Sequence, residues 1–268
     1  MITGSTRVFA ILGNPIAHSL SPVMQNAAFR ALGIQAAYVP LACADEDVAP
    51  LIQALVRAGG GGNVTVPHKE AAARAVDICR DLAKVVGASN TFWGENGSSV
   101  GDNTDVHGVL EALRQLEAPD GPWLIAGTGG GARAVAMAAR ERGVDIAVTS
   151  RDASRRQEFE RWMASRGVAL VSASDCRVLI NATPLGLEGN DPLPIPDEVA
   201  PRAEVALDLV YRAGETAWIR AVRSRVRRAA DGRAMLVAQG AAAFECWFPG
   251  KRAPVEVMRA AVNAALRS

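Results

Sequence analysis

The residues with the clearest chemical potential form a glycine-rich loop in the middle of the chain. Gly127-Thr128-Gly129-Gly130-Gly131 follows the short apolar run 123–126 and precedes a segment with helical periodicity. Glycine permits the tight turn and the close backbone approach that a pyrophosphate needs, and the N–H groups of a helix N-terminus attract the phosphates. A flexible turn is the alternative, although successive glycines are an entropically costly way to make one. The strand–loop–helix context favours a nucleotide site.

The residues about 20 positions further on indicate which nucleotide would bind. Enzymes that use NAD place an acidic residue there, where it binds the ribose 2′-hydroxyl. Here Arg151 and Arg155 follow the next strand, and their guanidinium groups can form charge-assisted bonds to a 2′-phosphate. Arginines on a helix surface are usually only solvated, and Asp152 is an acid close to the position of the ribose. Because both arginines come at the end of the second strand of this unit, they favour NADP(H) over NAD.

Polar patches in the first part of the chain are candidates for binding a second molecule. Ser19 and Ser21 come where a helix begins, and the unsatisfied N–H groups and dipole of a helix N-terminus stabilise an anion. A helix capped by Ser21, with Pro22 in its first turn, is the simpler alternative. Thr65 and Lys69 come at the carboxyl end of a short strand, which is where open α/β sheets bind ligands. A lone lysine is otherwise a solvated surface group.

Metal binding is disfavoured by the polar and sulfur-containing residues. The stretches 87–91 and 101–105 would by composition form Asx or hairpin turns. The second is not a calcium loop, because Thr104 and Leu113 stand at its third and twelfth positions. The four cysteines form no CxxC pair, and with three histidines they cannot supply a tetrahedral ligand set. We therefore expect no metal site, and the thiols are those of a reduced, cytoplasmic protein.

The composition excludes other classes of protein. Lys and Arg number 29 against 28 Asp and Glu, so the net charge of +1 is too small for electrostatic binding of nucleic acid. The basic stretch 220–228 predicts a solvated helix face. No apolar run approaches the roughly 18 residues that cross a bilayer, and the first residues lack the apolar part of a secretion signal. We expect a cytoplasmic protein without a membrane or nucleic-acid partner.

Alternating strands and helices must position these patches. In the first part of the chain, strands are predicted at 8–12, 38–41 and 63–66, and helices at 45–58 and 69–82. After the linker 118–122, strands are predicted at 123–126, 144–149, 178–181 and 205–209. Helices without strand partners are predicted at 235–247 and 254–266. This alternation is typical of an α/β protein with parallel sheets covered by helices.

Taken in chain order, these motifs resemble the shikimate dehydrogenase family, which uses NADP in the aromatic amino-acid pathway. The matching stretches cover essentially the whole chain and are 13–16, 18–22, 63–69, 87–91, 101–105, 127–133, 181–184 and 235–239. Motifs in this order are far more specific than a glycine loop alone. Three places depart from the family, which often has histidine at Gln25, alanine at Gly240 and a proline-rich turn at 212–217. We expect Gln25 to pack against the sheet.

The resemblance implies roles for individual residues. Lys69 and Asp105 would be the catalytic pair, with lysine donating a proton to the substrate oxygen or accepting one from it. Six side chains would bind the substrate together with Asp105, namely Ser19, Ser21, Thr65, Asn90, Tyr211 and Gln239. The pyrophosphate would lie on Gly127, Thr128, Gly129, Gly130 and Gly131, and the 2′-phosphorylated ribose on Ser150, Arg151 and Arg155. The nicotinamide side would be lined by Thr183, Leu209 and Gly232.

The resemblance also implies an α/β fold of two domains. Residues 1–105 with 237–268 would form an N-terminal substrate-binding and catalytic domain, to which the C-terminal helix returns, and 106–236 a Rossmann-type, doubly wound NADP-binding domain. We expect a cleft between them that closes when both ligands bind. The function would be the reversible reduction of 3-dehydroshikimate to shikimate with NADPH, by a monomer or a homodimer. Action on quinate or an aminoshikimate stays open, as does a silent NADP-binding regulator, although such a regulator should lack Lys69 or Asp105.

Overall fold

Strands and helices alternate along the chain in the computed structural model, which describes residues 2–188 and 190–267. The chain divides into two units, of which unit 1 is Met1–Asp105 with Leu236–Ser268 and unit 2 is Val106–Met235. Each unit contains one sheet. Within the described ranges, no helix is both long and apolar enough to cross a membrane.

Unit 1 contains a six-stranded mixed sheet with the strand order β2-β1-β3-β5-β6-β4. Its strands are β1 (Arg7–Gly13), β2 (Ala36–Ala42), β3 (Gly61–Val64), β4 (Ile78–Cys79), β5 (Thr91–Glu95) and β6 (Ser98–Asp102). β1 runs parallel to β2 and β3, whereas β5 is antiparallel to β3 and β6. The helices that contribute to unit 1 are α1 (Ser21–Ala31), α2 (Val48–Arg57), α3 (Lys69–Ala75), α4 (Asp81–Val86), α9 (Arg233–Trp247) and α10 (Val255–Ala265).

The structure of residues 69–102 differs from the prediction, which was one helix followed by polar turns. α3 ends at Ala75, and the chain then forms β4, α4 and the antiparallel hairpin of β5 and β6. The helix stops because Asp77 bonds to β6: its backbone N–H donates to Ser99 Oγ at 2.9 Å, and its carboxylate accepts from Ser99 N at 2.7 Å. The helix predicted at 69–82 is therefore too long, because contacts with a distant strand override the periodicity of that segment.

The predicted strand 63–66 lies two residues earlier, because glycines at 61 and 62 belong to β3. A Cβ on Gly61 would lie 2.6 Å from the carbonyl oxygen of Phe92, and one on Gly62 would overlap that of Ala10. The backbones of β1 and β5 thus pass too close to β3 for any side chain at these positions. The glycine run is part of a strand rather than only the end of α2.

Both faces of the unit 1 sheet are covered by helices. On one face, Phe9 of β1 packs with Phe29 of α1 and with aromatic side chains at the end of α9, where Phe244 is fully buried. On the other face, Ala10 and its neighbours pack against α2 through Ile52. The C-terminal helices therefore complete the core of unit 1, as the predicted return of the chain requires.

Unit 2 contains a five-stranded parallel sheet in the order β11-β10-β9-β7-β8. Its strands are β7 (Trp123–Ala126), β8 (Ile146–Thr149), β9 (Val178–Asn181), β10 (Val205–Asp208) and β11 (Arg228–Ala230), and its helices are α5 (Asp105–Gln115), α6 (Gly130–Arg142), α7 (Ala153–Ala164) and α8 (Ala217–Val222). β7, β9 and β10 are buried throughout, as strands covered on both faces should be. The winding reverses between β7 and β9, and doubly wound sheets bind ligands at the carboxyl ends of the strands at such a switch point.

Candidate active site

Lys69 and Asp105 form a largely buried ion pair in unit 1. Each is the first residue of its helix, α3 and α5, and Lys69 Nζ lies 2.6 Å from Asp105 Oδ2. The lysine side chain is 16% exposed and the aspartate side chain 7%. A short charge-assisted bond with so little solvent can hold a proton at a defined atom, which general acid–base catalysis requires.

Asn90 orients the carboxylate of this pair. Its Nδ2 donates to Asp105 Oδ1 at 2.8 Å and to Thr104 Oγ1 at 3.0 Å, while its Oδ1 accepts from Thr104 N at 2.7 Å. Gln239 of α9 reaches the same amide, with its Oε1 3.4 Å from Asn90 Nδ2. The two oxygens of Asp105 therefore face different partners, one ammonium and one amide, and this fixes the carboxylate plane.

These residues meet because four strands begin or end at one edge of the unit 1 sheet. β1 and β3 end there, and the register pairs Leu12 with Val64. The antiparallel β5 begins there and β6 ends there, since Thr91 pairs with both Asn63 and Asp102. The hairpin thus brings Asn90 and Asp105 to the edge where Lys69 follows β3.

Hydrogen bonds of the backbone and of the Asn103 side chain hold the polar stretches 87–91 and 101–105 at this edge. Ser89 N donates to the carbonyl oxygen of Lys69 at 2.9 Å. Asp105 N donates to Asn103 Oδ1 at 3.1 Å, and Asn103 Nδ2 donates to the carbonyl oxygen of Ala88 at 2.9 Å. The two stretches therefore form the frame of the Lys69–Asp105 pair rather than isolated turns.

Thr65, Ser19 and Ser21 follow the strands that end at the same edge. Thr65 N donates to the carbonyl oxygen of Leu12 at 2.8 Å, and a side chain on Gly13 would overlap the Thr65 methyl group. Ser21 is the first residue of α1 rather than its predicted N-cap, which is the preceding residue. Ser21 is buried, and its N–H donates to Ser19 Oγ at 3.3 Å. Both hydroxyl groups therefore lie at the N-terminus of α1.

Tyr211 is the predicted substrate residue that lies in unit 2. It is half-buried in the segment 209–215, between β10 and α8. The predicted substrate residues are thus divided between the two units. The structure brings Lys69, Asp105, Asn90 and Gln239 into direct contact within unit 1.

In unit 2 the glycine-rich loop lies at the switch point of the sheet. Gly127 follows β7 with a φ of +111°, and a Cβ there would lie 3.0 Å from the carbonyl oxygen of Ala182, which follows β9. Gly129 is the N-cap of the 13-residue α6, and the space that its side chain would occupy is open. Thr128 lies between these glycines, and Gly130 and Gly131 form the first turn of α6. The unsatisfied N–H groups of the helix therefore border a space that can receive a phosphate.

Ser150, Arg151 and Arg155 lie around the start of α7, beyond the carboxyl end of β8, and both arginines are exposed. Asp152 is the N-cap of α7, and its Oδ1 accepts from Arg155 N at 3.0 Å. Asp152, the acidic residue whose position could favour NAD, therefore caps the N-terminus of α7. The side chains at this strand end that match a phosphorylated ribose are the two arginines.

Thr183, Leu209 and Gly232 come together at the ends of β9, β10 and β11. Asn181 Oδ1 accepts from Thr183 N at 3.0 Å and from Thr183 Oγ1 at 2.7 Å, and the carbonyl oxygen of Asn181 accepts from Leu209 N at 2.9 Å. A side chain on Gly232 would overlap the carbonyl oxygen of Leu209. The predicted nicotinamide residues thus lie beside one another, next to the switch point.

Asp208 is a buried residue of this region that sequence reasoning missed. It ends β10, and its carboxylate accepts from Asn181 Nδ2 at 2.8 Å, from Val210 N at 3.0 Å and from Thr216 Oγ1 at 2.7 Å. The pKa of Asp208 is raised to about 6, mainly by burial and also by the charge of Asp231. The three hydrogen bonds act in the opposite direction and lower the pKa. An acid at the end of the apolar run 205–209 was a visible signal, but nothing in the sequence identified its partners.

Gln25 and Gly240, which both depart from the family pattern, contact each other. Gln25 is buried, and its Nε2 donates to the carbonyl oxygen of Gly240 in α9 at 2.9 Å. A side chain at position 240 would overlap the end of Met24. The two departures are therefore one packing arrangement between α1 and α9.

Within the part of the chain that the structure describes, no three His, Cys, Asp or Glu side chains group as metal ligands. The four cysteines are free thiols. Burial raises the pKa of Cys176 and of Cys246 to about 11. These two thiols are protonated at neutral pH and are poor nucleophiles.

Known proteins match this chain over nearly its whole length. The shikimate dehydrogenase substrate binding domain matches residues 11–92, and the shikimate 5′-dehydrogenase C-terminal domain matches residues 232–262. A shikimate dehydrogenase (NADP⁺) of Thermus thermophilus is 39% identical over 89% of this chain and 91% of the relative. A crystal structure of a shikimate dehydrogenase with NADP⁺ has a TM-score of 0.91 and 30% identity, and covers 100% of this chain and 98% of its own. A Thermus thermophilus shikimate 5-dehydrogenase with NADP(H) and shikimate has a TM-score of 0.87 and 36% identity, over 96% and 99%.

Proposed function

The chain belongs to the shikimate dehydrogenase family, and we propose that it catalyses the reversible NADPH-dependent reduction of 3-dehydroshikimate to shikimate, a step of aromatic amino-acid biosynthesis. The observation that carries this proposal is the Lys69–Asp105 contact of 2.6 Å. Removing two charges from water costs free energy unless they are well paired and bonded. A protein that only bound NADP would have no use for such a pair at a strand edge lined by hydroxyl and amide groups.

The residues of unit 2 fit NADP(H). Gly129 leaves room for a pyrophosphate at the N-terminus of α6, and Gly127 supplies the positive φ at which the loop turns away from β7. Arg151 and Arg155 carry positive charge beyond β8, where the 2′-phosphate would be held. The cofactor, when bound, supplies the hydride in reduction and accepts it in oxidation.

Lys69 is the residue that moves the accompanying proton. In the reductive direction its Nζ donates a proton to the oxygen of the substrate carbonyl as that oxygen gains charge; in the oxidative direction it accepts the hydroxyl proton. Asp105 holds Nζ through Oδ2, while Asn90 holds Oδ1 at 2.8 Å. Because both oxygens of the carboxylate are engaged, the ammonium group keeps one position relative to the substrate.

Polar side chains of unit 1 orient the substrate. Ser19 and Ser21 bind the carboxylate at the start of the 11-residue α1, where the helix dipole favours an anion. Thr65, Asn90 and Gln239 bind the ring hydroxyls, since hydroxyl and amide groups both donate and accept hydrogen bonds. Shikimate carries one carboxylate and several hydroxyls, which matches this set of partners.

The test is the absorbance of reduced nicotinamide after purified protein is mixed with shikimate and NADP⁺. Quinate and NAD⁺ serve as crossed controls. We expect turnover only with shikimate and NADP⁺. Turnover with quinate or with NAD⁺ would keep the chemistry of Lys69 and overturn the specificity. Absence of turnover with every pair, from folded protein, would favour a silent NADP-binding regulator.

A further inference from the structure

A buried hydrogen bond closes the loop between β10 and α8. This β10–α8 loop, residues 209–215, begins after Asp208 and ends before Thr216, the N-cap of α8. Asp208 Oδ2 accepts from Thr216 Oγ1 at 2.7 Å, and both residues are 0% exposed. We call this hydrogen bond the clasp. It joins the two ends of a loop that contains two predicted site residues, Leu209 and Tyr211.

The other oxygen of Asp208 connects the clasp to the neighbouring strand. Oδ1 accepts from Val210 N at 3.0 Å, inside the loop, and from Asn181 Nδ2 at 2.8 Å, at the end of β9. Asn181 in turn accepts from Thr183 through its own side-chain oxygen. One carboxylate therefore sets the direction of the loop, the end of β9 and the start of α8 together.

Burying this carboxylate among neutral donors costs free energy that an apolar pair would not. A buried hydroxyl or carboxylate is penalised unless it is hydrogen-bonded, and two apolar side chains could close the same loop without that cost. What the carboxylate adds is direction, because each of its bonds fixes a donor at a defined angle. The loop itself supplies little stiffness, since the segment 212–217 has no proline and Gly214 has a φ of +74°.

We propose that Asp208 and Thr216 are positioning residues for the nicotinamide end of the cofactor: the clasp holds Leu209 and, through Asn181, Thr183 in place. This inference rests on the proposed function, because the resemblance to the family assigns Leu209 and Thr183 to the nicotinamide side. It concerns the β10–α8 loop and not the glycine-rich loop or the arginines. Loss of the clasp therefore weakens binding of the nicotinamide half of NADP⁺ and leaves its adenine half unaffected.

Comparing two ligands, in the absence of substrate, distinguishes binding of the nicotinamide half from binding of the adenine half. NADP⁺ contacts the whole site, whereas 2′-phospho-ADP-ribose lacks nicotinamide and contacts only the remainder. Thr216→Val keeps the shape of the side chain but removes the hydroxyl donor, and Thr216→Ser restores it. We expect Thr216→Val to weaken NADP⁺ binding by roughly fivefold or more in calorimetric titration, because it removes the donor to Asp208 together with the N-cap acceptor of Ile219 N. Its affinity for 2′-phospho-ADP-ribose should stay within about twofold of the unaltered protein, and Thr216→Ser should bind both ligands normally.

Val222→Ala is the matched control for damage to α8. Val222 is buried at the other end of this six-residue helix and has no part in the clasp. It should lower the unfolding temperature while leaving the ratio of the two affinities unchanged. If Thr216→Val fails to fold, Asp208→Asn carries the test, since it keeps the volume and one acceptor and should shift the ratio in the same direction.

Equal weakening of both ligands by Thr216→Val, or no change in either, would overturn the positioning role. A ratio shift in the Val222→Ala control as large as in Thr216→Val would do so too, because the effect would then follow from helix stability. These outcomes are independent of turnover. A protein that shows the expected ratio shift but oxidises no shikimate would contradict the proposed function and not the role of the clasp.

Discussion

Each unit buries a carboxylate at a strand or helix end, and the two carboxylates are satisfied in opposite ways. Asp105 in unit 1 pairs with the charged Lys69 at 2.6 Å, and the lysine side chain keeps 16% exposure. Asp208 in unit 2 is fully buried, and among the described residues its donors are all neutral: an amide, a backbone N–H and a hydroxyl. Both arrangements satisfy the carboxylate oxygens, but only the first places a partly exposed ammonium group beside them, which can exchange a proton with a bound molecule.

The comparison shows that a buried carboxylate can serve proton transfer or positioning, depending on its partners. An opposite charge beside a carboxylate stabilises its ionised form and gives the pair a proton that can be transferred. Neutral donors stabilise the carboxylate less, so burial dominates and raises the pKa of Asp208 to about 6. The role left to Asp208 is to hold its three hydrogen-bond donors at fixed angles. We therefore expect substitutions at the first carboxylate to change kcat, and those at the second to change stability and cofactor affinity.

The largest effect should follow from removing the charge partner in unit 1. Lys69→Ala should lower kcat by roughly 10²–10⁴-fold, the range for a lost general acid–base, with NADP⁺ affinity unchanged. Steady-state assays with shikimate and NADP⁺ measure it. Lys84→Ala is the matched control, because Lys84 lies in the same unit in an exposed pair with Asp81. Full turnover by Lys69→Ala would remove Lys69 from the mechanism.

The second effect should be a pH dependence of stability that belongs to Asp208. Its pKa is raised by burial to about 6, from an ordinary value of 3.8. The neutral carboxyl therefore contributes stability that is complete below pH 3.8 and is lost as the pH rises through about 6. Relative to Asp208→Asn, the free energy of unfolding should fall by about 3 kcal/mol over this interval. Denaturant unfolding at a series of pH values measures the difference; parallel pH profiles of the two proteins would contradict it.

A smaller change in kcat should come from Asp105 itself. Asp105→Asn keeps the shape but leaves Lys69 without its counter-charge and turns an amide toward Asn90, so kcat should fall by roughly 10–10²-fold. Because the two residues act as one unit, Lys69→Ala combined with Asp105→Asn should be little worse than Lys69→Ala alone. Asp81→Asn serves as the control, since Asp81 is exposed and 3.6 Å from Lys84. Additive losses in the double variant would mean that the two residues act separately.

The ordered motifs predicted the charged pair but not the sheet that assembles it. Lys69 and Asp105 were identified by resemblance, and the buried apolar runs of β7 and β9 were predicted at their observed bounds. The hairpin of β5 and β6 was missed because its flanking stretches are polar and look like turns. Its antiparallel direction is what carries Asn90 to the edge where β3 ends, and strand direction depends on pairing between distant segments.

The clasp was unpredictable for the same reason. Asp208 and Thr216 are eight residues apart, yet Asn181 is 27 residues away from Asp208 and on another strand. Residue types alone show an acid, a threonine and an amide, each common in loops. Only the parallel register of β9 and β10, which pairs Asn181 with Asp208, reveals that they meet.

The smallest effect should come from the charges that unit 2 keeps at its surface. Arg151 is exposed beyond β8, so it can be removed without loss of packing. Arg151→Ala should raise KM for NADP⁺ by roughly tenfold, the effect of one charge-assisted bond, and leave kcat and binding of NAD⁺ unchanged. Arg156→Ala is the control, because Arg156 lies in the first turns of α7, which begins two residues after Arg151, and pairs with Glu160 at 3.6 Å. An equal rise in KM for both cofactors would place Arg151 away from the 2′-phosphate. A fall in kcat would mean that surface charge in unit 2 takes part in the chemistry, and the contrast with Lys69 would then fail.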